Sequence, residues 1–322
     1  MKEHLKRLSR HHGASTEARG AGSGGVEAQG ILDSRILPDD EFQERWDAIV
    51  LDTDLKDRLL SRAILNFTLR PNVDRAEFPL HGIITLVGPP GTGKTSLAKG
   101  LASRTADALK SLGRFMYLEV EPHALASAAH GRTQRAITDL LGSTVAEHAA
   151  NGPLIVLLDE VETLAVDRSK LSFEANPIDV HRASDAVLAQ LDHLAEQYTN
   201  LLFLATSNFA AAIDAAFISR ADLVVTVDKP SPEACRKILT STVESLAKIY
   251  PKVKRVISTL EFDKAATLCL GLDGRTIRKL VVTACSFEKA TALNPELLSG
   301  QDILNAVEET QRERAALEKG NK

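Results

Sequence analysis

The sequence predicts an α/β protein: a five-stranded parallel sheet covered by helices on both faces, followed by a small all-helical C-terminal domain. Five short apolar runs, at 83–87, 115–120, 154–158, 201–206 and 223–227, alternate with stretches patterned at helical spacing. Strands buried on both faces read as such continuous apolar runs. The run Gly88-Pro89-Pro90-Gly91-Thr92-Gly93-Lys94-Thr95 stands between the first of them and a helix-forming stretch, the context that a phosphate-binding loop requires. Beyond Lys229-Pro230-Ser231-Pro232 the strand pattern stops and only helical periodicity remains.

Taken in order, residues 1–36 read as a flexible tail. Lys2, Lys6, Arg7 and Arg10 precede a stretch from Gly13 to Gly30 that is rich in Gly, Ala and Ser and lacks apolar periodicity, a composition that stays solvated. Glu3, Glu17 and Glu27 argue against a cleavable transit peptide. The nucleotide-binding domain is expected over 37–230. It opens on an apolar patch of Trp46, Ile49, Val50 and Leu51, ahead of a helix through Leu55, Leu59, Leu60 and Ile64. Further helices are expected at 96–112, 133–150 and 180–194, the last with Val180, Ala183, Val187, Leu191 and Leu194 on one face. The helical domain, 231–322, divides into helices at 232–250, 263–270, 274–290 and 301–318, with Asn294-Pro295 and Gly300 as punctuation.

Composition narrows the class. Of 322 residues, 44% are hydrophobic and 25% charged, which is ordinary for a water-soluble globular chain. Aromatics are only 4%, so the core must be built from Leu, Ile, Val and Ala. A net charge of −4 offers no basic surplus for coating nucleic acid or an anionic membrane. Cys235, Cys269 and Cys285 form no C-x-x-C pair and read as core fillers in a reducing, cytoplasmic compartment. No apolar run reaches the length of a membrane span.

The chemistry concentrates at the ends of the apolar runs. The turn from Gly88 through Pro89, Pro90, Gly91, Thr92 and Gly93 and the helix start to Ser96 would cradle the phosphates, with the backbone N–H groups of the non-proline residues pointing at them. Lys94 would put a point charge between the β- and γ-phosphates, and the Thr95 hydroxyl would take a site on Mg²⁺. Ile49 and Val50 are the candidate apolar contacts to the rest of the nucleotide. The run 154–158 ends in Asp159, suited to the Mg²⁺ shell, and Glu160, suited to activating a water. Asn208 ends the next run; its amide would hold the water or γ-phosphate without adding charge, or else form an Asx turn. Arg220 would reach a neighbouring subunit's γ-phosphate, or else pair with Asp222 on the surface. Arg275 opens a helix of the C-terminal domain, where it would reach back to the phosphates or sit solvated.

Together these residues resemble the AAA+ ATPases over about residues 40 to 320. The phosphate loop, Asp159-Glu160, Asn208, Arg220 and Arg275 match that family's Walker A, Walker B, sensor 1, arginine finger and sensor 2 in order and spacing. The resemblance implies ATP and Mg²⁺ as ligands and ATP hydrolysis as the activity.

A narrower resemblance is to the pachytene-checkpoint branch, which remodels HORMA-domain proteins. It rests on Asp159-Glu160-Val161-Glu162-Thr163-Leu164, Asp185-Ala186-Val187-Leu188-Ala189-Gln190-Leu191-Asp192, Thr206-Ser207-Asn208, Phe217-Ile218-Ser219-Arg220-Ala221-Asp222 and Gly271-Leu272-Asp273-Gly274-Arg275. This branch implies a homo-hexameric ring that pulls on a HORMA protein. The short polar tail before Ile36 departs from the folded N-terminal domain of eukaryotic members. The chain therefore resembles the bacterial CBASS members, which separate a HORMA protein from its cyclic-oligonucleotide-producing nucleotidyltransferase. Relatives carry an aromatic in the pore loop where this chain has Ala129 and His130. His130, with Arg132 and Arg135, is the expected substituting grip, and the segment 169–179 is a second candidate loop. A nucleic-acid motor or clamp-loader-like ATPase is the competing reading, and it would demand the basic stripe that the charge balance lacks. Glu160 and Arg220 argue against a non-hydrolysing nucleotide-gated scaffold, which would not need both.

Overall fold

The apolar runs assemble into a sheet of six strands: β1 (Ile31–Leu37), β2 (Ile83–Val87), β3 (Phe115–Val120), β4 (Leu154–Leu158), β5 (Leu201–Ser207) and β6 (Leu223–Thr226). Their spatial order is β1-β3-β4-β5-β2-β6. A computed structural model describes residues 30–51, 53–121, 133–163, 177–209 and 213–320. The five expected strands form its parallel part, with Leu158 level with Ala205 and Val87 level with Ser207.

The sixth strand is a correction, since composition alone places residues 31–36 in the tail and stops the sheet at five parallel strands. β1 lies antiparallel to β3, with Ile31 opposite Val120 and Leu37 opposite Phe115. Its exposure alternates residue by residue, as an edge strand's does, and the polar Asp33, Ser34 and Arg35 hide it from a search for apolar runs. Arg35 fastens the strand to the residues just after it: its guanidinium meets Asp33 at 2.7 Å and Glu41 at 2.7 Å, and lies 4.7 Å from the Phe42 ring centre.

Helix α1 (Asp40–Ala48), also unforeseen, is capped by Asp39, whose carboxylate accepts from Phe42 N at 2.9 Å. It packs on α3 (Lys94–Ala108) so closely that a Cβ at Gly100 would stand 2.5 Å from Trp46 Cβ. Helix α2 (Thr53–Thr68) lies between them in sequence. Strand side chains alternate between two cores. Ile84 and Leu86 pack with α1, α2 and α3, while Ile83 and Val87 pack beneath α4 (Thr133–Asp139), its continuation through a π-helical segment (Leu140–Val145) into α5 (Ala146–Asn151), and α6 (Pro177–Gln197). A short helix, α7 (Ala215–Ile218), precedes β6.

From Pro232 onward the described residues hold helices and no strand: α8 (Pro232–Ala247), α9 (Leu260–Leu268), α10 (Gly274–Ser286), α11 (Lys289–Leu293) and α12 (Gly300–Gly320). Cys235 and Cys269 are buried in this third core, as expected of core fillers, and all three cysteines are free thiols. Among the described residues no helix is long and apolar enough to cross a membrane.

Candidate functional site

Parallel pairing brings the carboxyl ends of β4, β5 and β2 side by side. The loops leaving these ends carry Asp159-Glu160, Asn208 and the phosphate loop, which is where ligands bind in open α/β sheets. Gly91 and Gly93 adopt φ of 80° and 94°, the left-handed region that glycine enters without steric cost. A Cβ at Gly93 would stand 2.5 Å from Ile49 Cδ1, and one at Gly91 would stand 2.2 Å from Asp273 Oδ1. The loop is thus squeezed from both sides while its backbone stays bare, as a phosphate cradle requires.

Lys94 opens α3 immediately after Gly93 and is buried. Its Nζ donates to the carbonyls of Gly88 and Pro89 and to Asn208 Oδ1, each at 2.9 Å. Burial lowers its pKa, while the nearby carboxylates of Glu162, Asp159 and Glu160 act to raise it. The Thr95 hydroxyl donates to Asp159 Oδ1 at 2.9 Å. A hydroxyl and a carboxylate set this close are the hard oxygen donors that suit Mg²⁺, so the residues present fit the metal that the resemblance implies.

Glu160 has φ 53°, alone among the described residues other than glycine in being positive. That conformation costs about 1 kcal/mol, and bonds around the residue hold it. Glu160 N donates to Thr206 Oγ1 at 3.1 Å, its carbonyl accepts from Thr163 N at 2.9 Å, and its carboxylate accepts from Asn208 Nδ2 at 3.2 Å. Asn208 therefore joins Lys94 to Glu160 through one amide.

Two further residues complete this cluster. Thr206, only 1% exposed, donates a short hydrogen bond to Asp159 Oδ1 and accepts from Glu160 N. Glu162 Oε1 accepts from Asn208 N at 3.0 Å. Both lie within the motifs that carry the resemblance, where chain order alone assigns neither a role. A polar residue in an otherwise apolar run, level with the first residue after the neighbouring strand, was the available signal for Thr206.

Ile49 and Leu51 pack on the sheet's core and Val50 on the helical core. Together they line a cavity of about 240 Å³ that also reaches Gly93, Ile238, Arg275 and Arg278. Arg275 stands in the first turn of α10, behind the cap Asp273, and its backbone N–H donates to Gly91 O at 3.2 Å. Arg278, unforeseen, donates to Ala48 O at 2.6 Å, and burial lowers its pKa. The C-terminal helices are thus tied by main chain and side chain to both walls of the cleft.

Arg220 is elsewhere. It lies just before β6 at the amino end of the sheet, where Asp222 N donates to Ile83 O at the start of β2, while the phosphate loop leaves the other end of that strand. The surface pair with Asp222 is not formed. Asp222 instead accepts backbone N–H bonds from His81 at 2.9 Å and Gly82 at 2.7 Å, closing the start of β2. Arg220 turns to α6 and pairs with Asp192. Ala129, His130 and Arg132, and the segment 169–176 of the second loop, fall outside the described residues; Arg135 is exposed on α4.

A sheet with a phosphate loop, an Asp-Glu pair, a polar amide just past the end of the intervening strand and a helical region tied to the loop defines an AAA+ ATPase. The family model for the ATPase family associated with various cellular activities (AAA) matches residues 84–229, and the chain belongs to this family. Within it, the chain is 54% identical to CD-NTase-associated protein 6 of Pseudomonas aeruginosa, over 89% of this chain and 94% of that one. It is 34% identical to the pachytene checkpoint protein 2 homolog of Xenopus tropicalis over 76% of this chain, spanning 62% of that longer relative. Among solved structures, C. elegans PCH-2 matches with TM-score 0.70 and 28% identity, covering 90% of this chain and 78% of that one. The E. coli MS115-1 HORMA:CdnC:Trip13 complex contains a chain that matches with TM-score 0.67, covering 89% and 97%; its 18% identity speaks to fold alone.

Proposed function

We propose that this protein is an ATP-driven hexameric remodeller that disassembles HORMA-domain protein complexes, in a bacterial anti-phage system built on a cyclic-oligonucleotide-producing nucleotidyltransferase. The observation that carries the reading is the Lys94–Asn208–Glu160 bridge beside the Thr95–Asp159 pair, in a chain so similar along its length to a protein named for association with a CD-NTase.

In the reaction we assign, Lys94 neutralises the β- and γ-phosphates of ATP, and the backbone N–H groups of Gly91 to Ser96 hold them. Thr95 and Asp159 would hold Mg²⁺, which supplies charge neutralisation when bound. Glu160 takes a proton from the attacking water as its oxygen bonds to the γ-phosphorus. The bond to the β-phosphate oxygen breaks, leaving ADP and phosphate. Asn208 holds Glu160 in place and offers its amide to the reacting group. Arg220 acts across the subunit interface, and Arg275 links nucleotide state to the C-terminal helices.

The test is a HORMA protein bound to its nucleotidyltransferase, mixed with the purified chain, ATP and Mg²⁺. The wild type should separate the complex, and Glu160→Gln should bind ATP without hydrolysing it or separating anything. Robust ATPase that leaves the complex intact would overturn the remodelling assignment. Full turnover in Glu160→Gln would overturn the assignment of the base.

A further inference from the structure

Arg220 is held in an unusually complete grip for a partly exposed side chain. Its Nε meets Asp192 Oδ1 at 2.8 Å and its Nη2 meets Oδ2 at 2.7 Å, a two-pronged pairing, while Nη1 donates to Ala216 O at 2.7 Å. The pairing raises the pKa of the arginine and lowers that of the aspartate. Asp192 is itself anchored: His81 Nε2 lies 3.4 Å from its Oδ1, and Arg75 Nη1 donates to its carbonyl at 3.4 Å. The three contacts of Arg220 span α6 and α7, so its guanidinium is fixed to two elements of the fold.

We infer that Asp192 is the positioning residue for Arg220, holding the guanidinium oriented for phosphate on the neighbouring subunit. This rests on the proposed trans role of Arg220. A guanidinium has five N–H donors, and the bonds among described residues use three. A two-pronged carboxylate contact fixes the plane of the group, so its orientation is set before a phosphate is met. An unheld arginine would lose its rotamer freedom at each encounter. Stability alone gives little reason for the pair, since a partly exposed ion pair contributes little to it.

The experiment compares Asp192→Asn, Asp192→Ala, Arg220→Ala and the double variant Asp192→Ala/Arg220→Ala for ATPase and for binding of a fluorescent ATP analogue. We expect both Asp192 variants to bind the analogue with wild-type affinity. Asp192→Ala should lose about 10²-fold in kcat with KM little changed, and the isosteric Asn should lose less. The double variant should be no slower than Arg220→Ala. Mixed with Glu160→Gln subunits, which carry an intact Asp192 and Arg220, Asp192→Ala subunits should regain turnover, because their own Glu160 then faces a positioned arginine. If Asp192→Ala loses analogue binding, Asp192→Asn carries the test. Wild-type kcat in both Asp192 variants, or no recovery on mixing where Arg220→Ala does recover, would overturn the inference. Wild-type turnover in Arg220→Ala would instead overturn the trans reading beneath it.

Discussion

Asn208 Oδ1 accepts from Lys94 Nζ at 2.9 Å while the same amide donates to Glu160 at 3.2 Å. One side chain thereby spaces the Lys94 ammonium from the Glu160 carboxylate. A carboxylate at this position would draw Lys94 toward itself and repel Glu160; an amide does neither.

Asn208→Ala should therefore keep nucleotide binding and lose turnover. Removing one preorganised donor from an active site costs about 10²-fold in kcat. Steady-state ATPase alongside nucleotide titration checks this, and unchanged kcat would remove Asn208 from the mechanism. Asn208→Asp should be at least as slow as Asn208→Ala, since it adds a fourth carboxylate near Lys94.

Thr206→Val removes the hydroxyl that bridges Asp159 and the Glu160 backbone while keeping its shape. The Glu160 N–H is left without that acceptor, at a cost of about 1–3 kcal/mol. Urea denaturation should register the loss. The Mg²⁺ concentration giving half-maximal ATPase should rise, because Asp159 loses the donor that orients it. An unshifted Mg²⁺ profile would confine Thr206 to a structural role.

Gly93→Ala places a methyl 2.5 Å from Ile49 Cδ1 at a φ of 94°. The substitution introduces two separate strains, and they can be pulled apart. Gly93→Ala should weaken nucleotide binding, and Ile49→Ala in the same chain should restore part of it by relieving the contact. The remaining deficit belongs to the backbone. Equal affinities for the single and double variants, by calorimetric titration, would mean that the contact has no role.

Lys99 and Glu119 form a buried pair at 2.7 Å, with side chains 12% and 5% exposed, and the Tyr117 hydroxyl donates to the same carboxylate oxygen at 3.2 Å. Lys99→Ala strands the carboxylate and should destabilise the fold by about 3–5 kcal/mol. Lys99→Met with Glu119→Leu removes both charges and should recover most of that. A double-mutant cycle in urea gives the coupling, and independent additive losses would contradict it.

Much of the site was legible because its chemistry is local. A phosphate loop needs glycines, Lys94 and Thr95 at short, fixed offsets between a strand and a helix, and Asp159-Glu160 and Asn208 must end apolar runs. Such constraints are written into neighbouring residues, and the five parallel strands come from the same runs. What chain order left open is what long-range pairing decides. β1 reads as polar tail until β3 supplies its hydrogen bonds, and burial of one face makes it a strand. Arg220 has Asp222 two residues away, yet the start of β2 takes that carboxylate and α6 delivers Asp192 from 28 positions upstream. Thr206 and Glu162 gain roles only when β4 and β5 align in register. Arg278 does so only when α10 comes to rest against the end of α1. Spacing along the chain encodes which groups a site needs; packing decides which of them meet, because a hydrogen bond depends on distances of about 3 Å that only the folded chain sets.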